Sequence, residues 1–464
     1  MESNFSPFSK PLEEVAADDL AVLRSVHEGW YVEYKEAVPN PPSIAKSVSA
    51  FANTYGGFLF YGIKEKSRDD TVAGEFIGIA TTDLEPMRDR IRQAICAHSA
   101  PEPHFDVKTW SGPSEALGLA DDRSIICIHV PRSSRAPHVH KSGVIYRRVA
   151  DSSEPTSEND RYALGELFKR SDKLLETYKK WYEADPHFHY EVERASPYLR
   201  LLITFDPWRE RRPWLQLAAP EVRKIFNPDS KRVTLPFDTV HSMRGGFLAR
   251  QTAGNGLDSL TLTWALRRDL TSEVLVPIPW VRADSGEELE IDLAGYEQEG
   301  RFVNALKNGK YHSLTVLDLN QLYPIFTGIF ETLERLAVVA DWKYGLSATF
   351  KILNAERSCP FLDIAHVMDG YERYGIPVAF NFMSTLRDPH HPDHFIEFKP
   401  KGENGDELFP EIQAAVLMVY LARSLGIPMW EDDTGTDPDL NLLEELHHAG
   451  VRSMEAQSLR SRSR

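Results

Sequence analysis

Apolar and polar positions alternate along this chain with a period that changes from segment to segment, and each change predicts an element. Residues 12–27 place Leu20, Leu23 and Val26 on one side and acids in the first turns, where they suit a helix dipole, so an amphipathic helix is expected. Over Trp30-Tyr31-Val32-Glu33-Tyr34-Lys35 the period drops to two, as in a strand, and Val38-Pro39-Asn40-Pro41-Pro42 ends it. Ser43 is the expected cap of a helix that carries Ile44, Val48, Phe51 and Ala52 on one stripe and stops near Asn53, before Gly56-Gly57. Residues 58–63 then read as a second strand.

A charged turn over 64–70 precedes a third strand over 74–79, and a helix over 84–98 exposes Arg88 and Arg92. Apolar strands are expected over 124–130 and 143–149. Residues 151–158 read as a linker and 162–184 as a connecting helix. Beyond residue 185, strands are expected over 260–266, 273–279, 289–293 and 348–353, and helices over 317–340 and 410–425, with no repeat and no low-complexity block. After Trp430 the chain turns acidic and closes on Leu459-Arg460-Ser461-Arg462-Ser463-Arg464, the composition of a poorly ordered tail.

At 464 residues the chain is too long for one core. The expected fold class is mixed α/β (α+β): a first domain over 1–155, a helical linker over 156–184, a second α/β domain of unassigned fold over 185–432, and a flexible tail over 433–464. The longest apolar run, residues 414–422, is too short for a membrane span, and residues 1–12 lack the charged start and apolar core of a secretory signal, so a cytoplasmic protein is expected. Cys96, Cys127 and Cys359 lie far apart with no Cys-x-x-Cys pair, which excludes a disulfide framework or cysteine-rich zinc site and leaves three small buried side chains.

A net charge of −16 weighs against a nucleic-acid partner, but its distribution changes the picture. Residues 1–150 hold 17 Lys and Arg against 20 Asp and Glu, a net of −3, so the acidity sits in the remainder. Between residues 123 and 150 there is no acid, while Arg123, Arg132, Arg135, Lys141, Arg147 and Arg148 lie beside His129, His138 and His140. This is a basic patch in an acidic protein, either a contact surface for a nucleic-acid backbone or a solvated loop.

Residues two apart on a strand share a face, so Glu33 and Lys35 point together and Val32 and Tyr34 point into the opposite layer. With Glu28 upstream, two converging carboxylates would hold Mg²⁺ or Mn²⁺, and the lysine would neutralise charge building on a phosphate; the alternative is a surface Glu-x-Lys pair on an edge strand. Gly56-Gly57 and Gly62 are not a phosphate loop. They follow a helix and enter a strand, and no Gly-Lys-Ser or Gly-Lys-Thr occurs. In the second half, His390-His391-Pro392-Asp393-His394 lacks the spacing of a zinc site, and Pro392-Asp393 with Glu397-Phe398-Lys399 echoes a restriction-type nuclease with too short a gap.

Val32-Glu33-Tyr34-Lys35, followed by Ala50-Phe51-Ala52-Asn53-Thr54-Tyr55-Gly56-Gly57-Phe58-Leu59-Phe60-Tyr61-Gly62-Ile63, resembles the Schlafen AlbA_2 domain, a nucleic-acid-binding module. The resemblance spans about residues 25–155, with Ser133 to Pro137 and Gly143-Val144-Ile145-Tyr146-Arg147-Arg148 near its end, and leaves out the second half. It implies a three-carboxylate, Mg²⁺- or Mn²⁺-dependent endoribonuclease site acting on transfer and ribosomal RNA. Glu28 and Glu33 match two ligands and Lys35 the lysine. The third acid follows a Gly-x-Asp-Asp turn, which here reads Gly62-Ile63-Lys64-Glu65, so Glu65 is the remaining candidate ligand, with Asp69 and Asp70 as alternatives.

Arg132, Arg135, Lys141, Arg147 and Arg148 would then clamp the RNA backbone. The resemblance also implies a place in phage defence, or a DNA-binding regulator that does not cut, which the Lys64 replacement favours. Family members described as ATP-binding add a nucleotide switch as a third class. The second domain would sense a trigger or mediate assembly, and tandem use of the module in animal Schlafens implies that one copy pairs with another as a homodimer.

Overall fold

The computed structural model describes residues 5–149, 154–205, 213–228, 235, 237–251, 260–283, 285–311, 314–379, 395–399, 409–429 and 440–463. The chain divides into two compact units, the first holding the described residues up to Lys180 and the second those from Trp181 onward.

In the first unit, strand β1 (Val32–Lys35) leads through helix α1 (Pro41–Asn53) into β2 (Gly56–Tyr61), which lies parallel to β1 with Glu33 opposite Leu59 and Lys35 opposite Tyr61. Short strands β3 (Ile63–Glu65), β4 (Ala73–Phe76) and β5 (Ile79–Ala80) precede α2 (Leu84–His98). After β6 (Ser99–Ala100) come β7 (Asp106–Ser111) and β8 (Arg123–Pro131), and β8 pairs antiparallel with β2, β5 and β7. Two-residue strands β9 (Val139–His140), β10 (Tyr146–Arg147) and β11 (Thr156–Ser157) lead into α3 (Arg161–Glu183).

The period-two alternation sorts this sheet into two buried layers. Val32, Tyr34, Phe58, Phe60, Ile125 and Cys127 pack on one face with Leu20 and Leu23. Leu59, Tyr61, Ile126 and Ile128 pack on the other with Ile44, Val48 and Phe51 of α1 and Ile91 and Ile95 of α2. The amphipathic helix expected over 12–27 is replaced by two 3₁₀ segments, Leu12–Glu14 and Ala17–Ser25. Leu20, Leu23 and Val26 recur every three residues, the 3₁₀ period, whereas an α-helix turns every ~3.6. The cap of α1 is Asn40 and not Ser43: its side chain accepts from Ser43 N at 3.0 Å, and Pro41 and Pro42 occupy the first turn, where a missing N–H is harmless. The strand expected over 143–149 shrinks to β10, and β7 has no counterpart among the expected elements.

The second unit starts with α4 (Glu191–Ala195), β12 (Tyr198–Thr204), α5 (Ala219–Phe226), β13 (Thr239–Met243), β14 (Gly246–Arg250), β15 (Thr263–Arg267), β16 (Ser272–Pro277) and β17 (Trp280–Ala283). It continues with α6 (Gly286–Asp292), α7 (Glu299–Asn308), β18 (Leu314–Asp318), α8 (Leu322–Val339), β19 (Leu346–Leu353), β20 (Ser358–Phe361), α9 (Ala365–Tyr374), β21 (Ile396–Phe398), α10 (Phe409–Ser424) and α11 (Leu440–Ser463). Seven antiparallel strands run in the order β13-β14-β15-β16-β12-β19-β21, and β17, β18 and β20 form a smaller sheet. Around them Trp264, Phe302, Phe326, Phe350, Leu417 and their neighbours make one core.

Three expectations are corrected here. The strand at 289–293 is α6, capped by the Ser285 side chain on Glu288 N. The single helix at 317–340 is β18 followed by α8. The tail expected after residue 433 folds from Leu440 as α11, which buries Leu446, Ala449 and Ala456 in the second core. Cys96 is exposed, and only Cys127 and Cys359 are buried. Residues 390–394, with their histidine cluster, lie outside the described residues. Among the described residues no helix is long and apolar enough to cross a membrane.

Candidate nucleic-acid interface

Glu33 leaves the sheet on the face that α1 covers, as its alternation with Val32 and Tyr34 requires. That places it under a helix, at 1 % exposure, and not on an open edge. Its Oε2 accepts from Arg148 Nη1 at 2.8 Å, and its Oε1 accepts from Ser47 Oγ of α1 at 3.2 Å with Lys35 Nζ at 3.4 Å. Burial pushes the Glu33 carboxyl above its usual range, opposed by Arg148 and then Lys35.

Arg148 is fully buried, which corrects its expected place in a surface clamp. Its guanidinium lies 4.7 Å over the Phe51 ring, Nε and Nη2 donate to the Gly29 carbonyl at 3.1 and 2.6 Å, and its backbone N–H donates to Thr54 Oγ1 at 2.9 Å.

Glu28 sits beside this pair. Its Oε1 accepts from Tyr34 N, while Oε2 is buried with no hydrogen-bond partner. Burial pushes the carboxyl up to about 8, against the Tyr34 N–H and Lys35, with Glu65 and Glu33 adding to the rise. Lys35 is partly open to solvent; against burial, which lowers it, Glu33 and Glu28 hold its ammonium above the usual range.

The fold thus brings Glu28, Glu33 and Lys35 together, with half-buried Glu65 at the end of β3 as an electrostatic neighbour of Glu28. It does not assemble them as a trio of ligands: among the described residues no group of three or more His, Cys, Asp or Glu is placed to hold a metal ion. The donor set fits Mg²⁺ or Mn²⁺ poorly, because Glu33 already spends one oxygen on Arg148 and the other on Ser47. Asp70 pairs with Lys66 at 2.7 Å on the surface.

The remaining cations lie where a polyanion could reach them. Arg135 and Lys141 are exposed and Arg132 is half-buried, whereas Arg147 is paired with Glu158 at 2.6 Å. Arg132, Ser133 and Ser134 form one wall of an open cleft of about 420 Å³, and Arg170, Lys173 and Thr177 of α3 form the other. Among the described residues that line it there is no Asp or Glu. The wall is anchored by Ser133 N on the Ala52 carbonyl at 2.9 Å, and Arg170 Nη1 donates to the Asn53 and Thr54 carbonyls at 3.2 and 3.3 Å. Sequence reasoning missed Arg170 and Lys173 because they belong to a helix that reads as a linker, and Asp172 between them and Glu176 after them mask their charge in the sequence.

The first unit carries the match to known proteins. A model of the family described as Schlafen, AlbA_2 matches residues 28–157, so this stretch is a Schlafen AlbA_2 domain. No curated protein matches the chain. Among solved structures the DIP2311 protein from Corynebacterium diphtheriae is similar at 17% identity over 44% of this chain and 35% of that one, with a TM-score of 0.19, too slight a likeness to bear on the fold.

Proposed function

We propose that the Schlafen AlbA_2 domain at residues 28–157 binds nucleic acid through the cleft lined by Arg132, Arg170 and Lys173 and through the neighbouring exposed cations, and that it does so without cutting the strand. The observation that carries this reading is the buried Glu33–Arg148 pair. A ligand carboxylate must offer free oxygens to a cation, and Glu33 offers its own to a guanidinium and a serine. Arg132, Arg135, Lys141 and Lys173 would meet phosphates, which positions a strand without reading its bases. A structured RNA such as transfer RNA and a DNA duplex present the same phosphates.

Incubation of the full chain with total transfer RNA in Mn²⁺ or Mg²⁺, followed by gel analysis and a binding titration, tests the reading. Salt-sensitive binding with intact RNA is expected. Metal-dependent cleavage abolished by Glu28→Gln in a folded variant would overturn it. That outcome would favour the second reading, a metal-dependent endoribonuclease, which has one observation on its side: the unpartnered Glu28 Oε2 beside Lys35.

A further inference from the structure

Four aromatic rings form a chain at the end of the β1–β2 edge. Phe5 stacks on Tyr31 with centroids 4.7 Å apart, Tyr31 lies 6.1 Å from Tyr55, and Tyr55 lies 5.5 Å from Trp30. A ring cluster that served only as core would be dry, yet Tyr55 is 48% exposed and Phe5 38%.

The position of Tyr55 relative to the cleft is fixed by the backbone on both sides of it. The carbonyl before it, Thr54 O, accepts from Arg170 of the cleft wall. The residue after it, Gly56, has φ +77°, and a Cβ there would lie 2.7 Å from the Arg132 N–H of the opposite wall. The ring chain therefore starts one residue from each wall. Arg148 ties the two chain segments that carry the rings together: its guanidinium donates to the carbonyl next to Trp30 and its backbone N–H donates to the hydroxyl next to Tyr55.

We infer that Tyr55, with Trp30 and Tyr31, is a stacking platform for unpaired bases, and that the adjoining cleft takes the neighbouring phosphates, so the domain prefers single-stranded nucleic acid to duplex. This rests on the nucleic-acid-binding reading and adds the strand state. A duplex hides the faces of its bases against each other, whereas a single strand offers each face to an aromatic ring, a sequence-tolerant contact. Phosphates alone would favour the denser charge of a duplex.

Fluorescence polarisation with labelled oligo(dT), oligo(U), an abasic oligonucleotide and a blunt duplex tests the inference. The full chain should bind the single strands about tenfold or more tighter than the duplex, and Tyr55→Ala should lose about tenfold or more on the single strands, the worth of one stacked base, with duplex binding unchanged. Tyr55→Phe should retain the affinity, and the abasic probe should bind the unaltered chain at least as weakly as oligo(dT) binds Tyr55→Ala. The exposed position of Tyr55 lets its variants fold, which the thermal midpoint checks. Equal affinity for strand and duplex, untouched by Tyr55→Ala, overturns the platform and leaves nucleic-acid binding standing. Failure of the unaltered chain to bind any probe overturns both.

Discussion

Arg148 Nη1 lies 2.8 Å from Glu33 Oε2, with both side chains out of solvent and 115 positions apart in sequence. The two were candidates for opposite tasks, one to hold a metal and the other to hold a phosphate backbone, and each occupies the other. What the pair does instead is join β1, the Gly29 turn and the end of α1 at one point.

It follows that Glu33→Ala damages the fold before it reports on chemistry. The variant leaves a guanidinium buried without its counter-charge, a loss of about 3–5 kcal/mol. Chemical denaturation should show that drop, and adding Arg148→Met should recover part of it, since no unpaired charge is then left. Equal stability of Glu33→Ala and the unaltered chain would contradict the buried pair.

Glu28 makes stability depend on pH. Its folded carboxyl holds its proton up to about pH 8, while in the unfolded chain it releases it near 4.5, so between those values the folded state binds more protons and stability falls as pH rises. Above about pH 8 the loss is complete, on the order of a few kcal/mol at ~1.4 per unit. Glu28→Gln keeps an acceptor for Tyr34 N and removes the titration. Denaturation midpoints across pH 5–9 should fall less steeply in the variant, and the variant should be the more stable of the two at the alkaline end.

Gly56 is irreplaceable for a local reason. Its φ of +77° and the close backbone of Val130 and Arg132 leave no space for a methyl group. Gly56→Ala should destabilise the first unit by more than about 1 kcal/mol, seen as a lower thermal midpoint. Gly143→Ala, also at positive φ but with open space around it, should suffer from backbone strain alone.

Salt dependence separates surface cations from the buried one. Each phosphate contact contributes a slope of roughly −0.7 to −0.9 to log affinity against log salt. Arg135→Ala, Lys141→Ala and Lys173→Ala should each shallow the slope by up to about one contact while the protein stays folded. Arg148→Met should lower the thermal midpoint.

Deletion of residues 440–464 tests the corrected tail. Removing α11 strips Leu446, Ala449 and Ala456 from the second core and leaves the buried Asp363 carboxylate without Arg452. A flexible tail would be lost without consequence, whereas this deletion should lower the midpoint of the second unit or abolish its folding, as read by limited proteolysis.

Much of the local structure was legible. The alternation in Val32–Lys35 correctly separated Glu33 from Tyr34, and the bounds of α2 and most of α1 followed from their apolar stripes. The 3₁₀ segment was misread although its three-residue spacing was on view, because Leu20, Leu23 and Val26 also lie on one side of an α-helix. The extent of the second-unit helices failed at β18, where an apolar run carries no period to divide strand from helix.

The sequence by itself determined which way each side chain leaves its strand or helix, since that is set by backbone period over a few residues, and it identified the domain through one long string of them. Only the tertiary structure decided what each side chain meets. Whether the Glu33 face is covered depends on α1 folding over it, and its partner arrives from a segment far along the chain, so a polar residue in an alternating strand reads the same whether it faces water or an arginine.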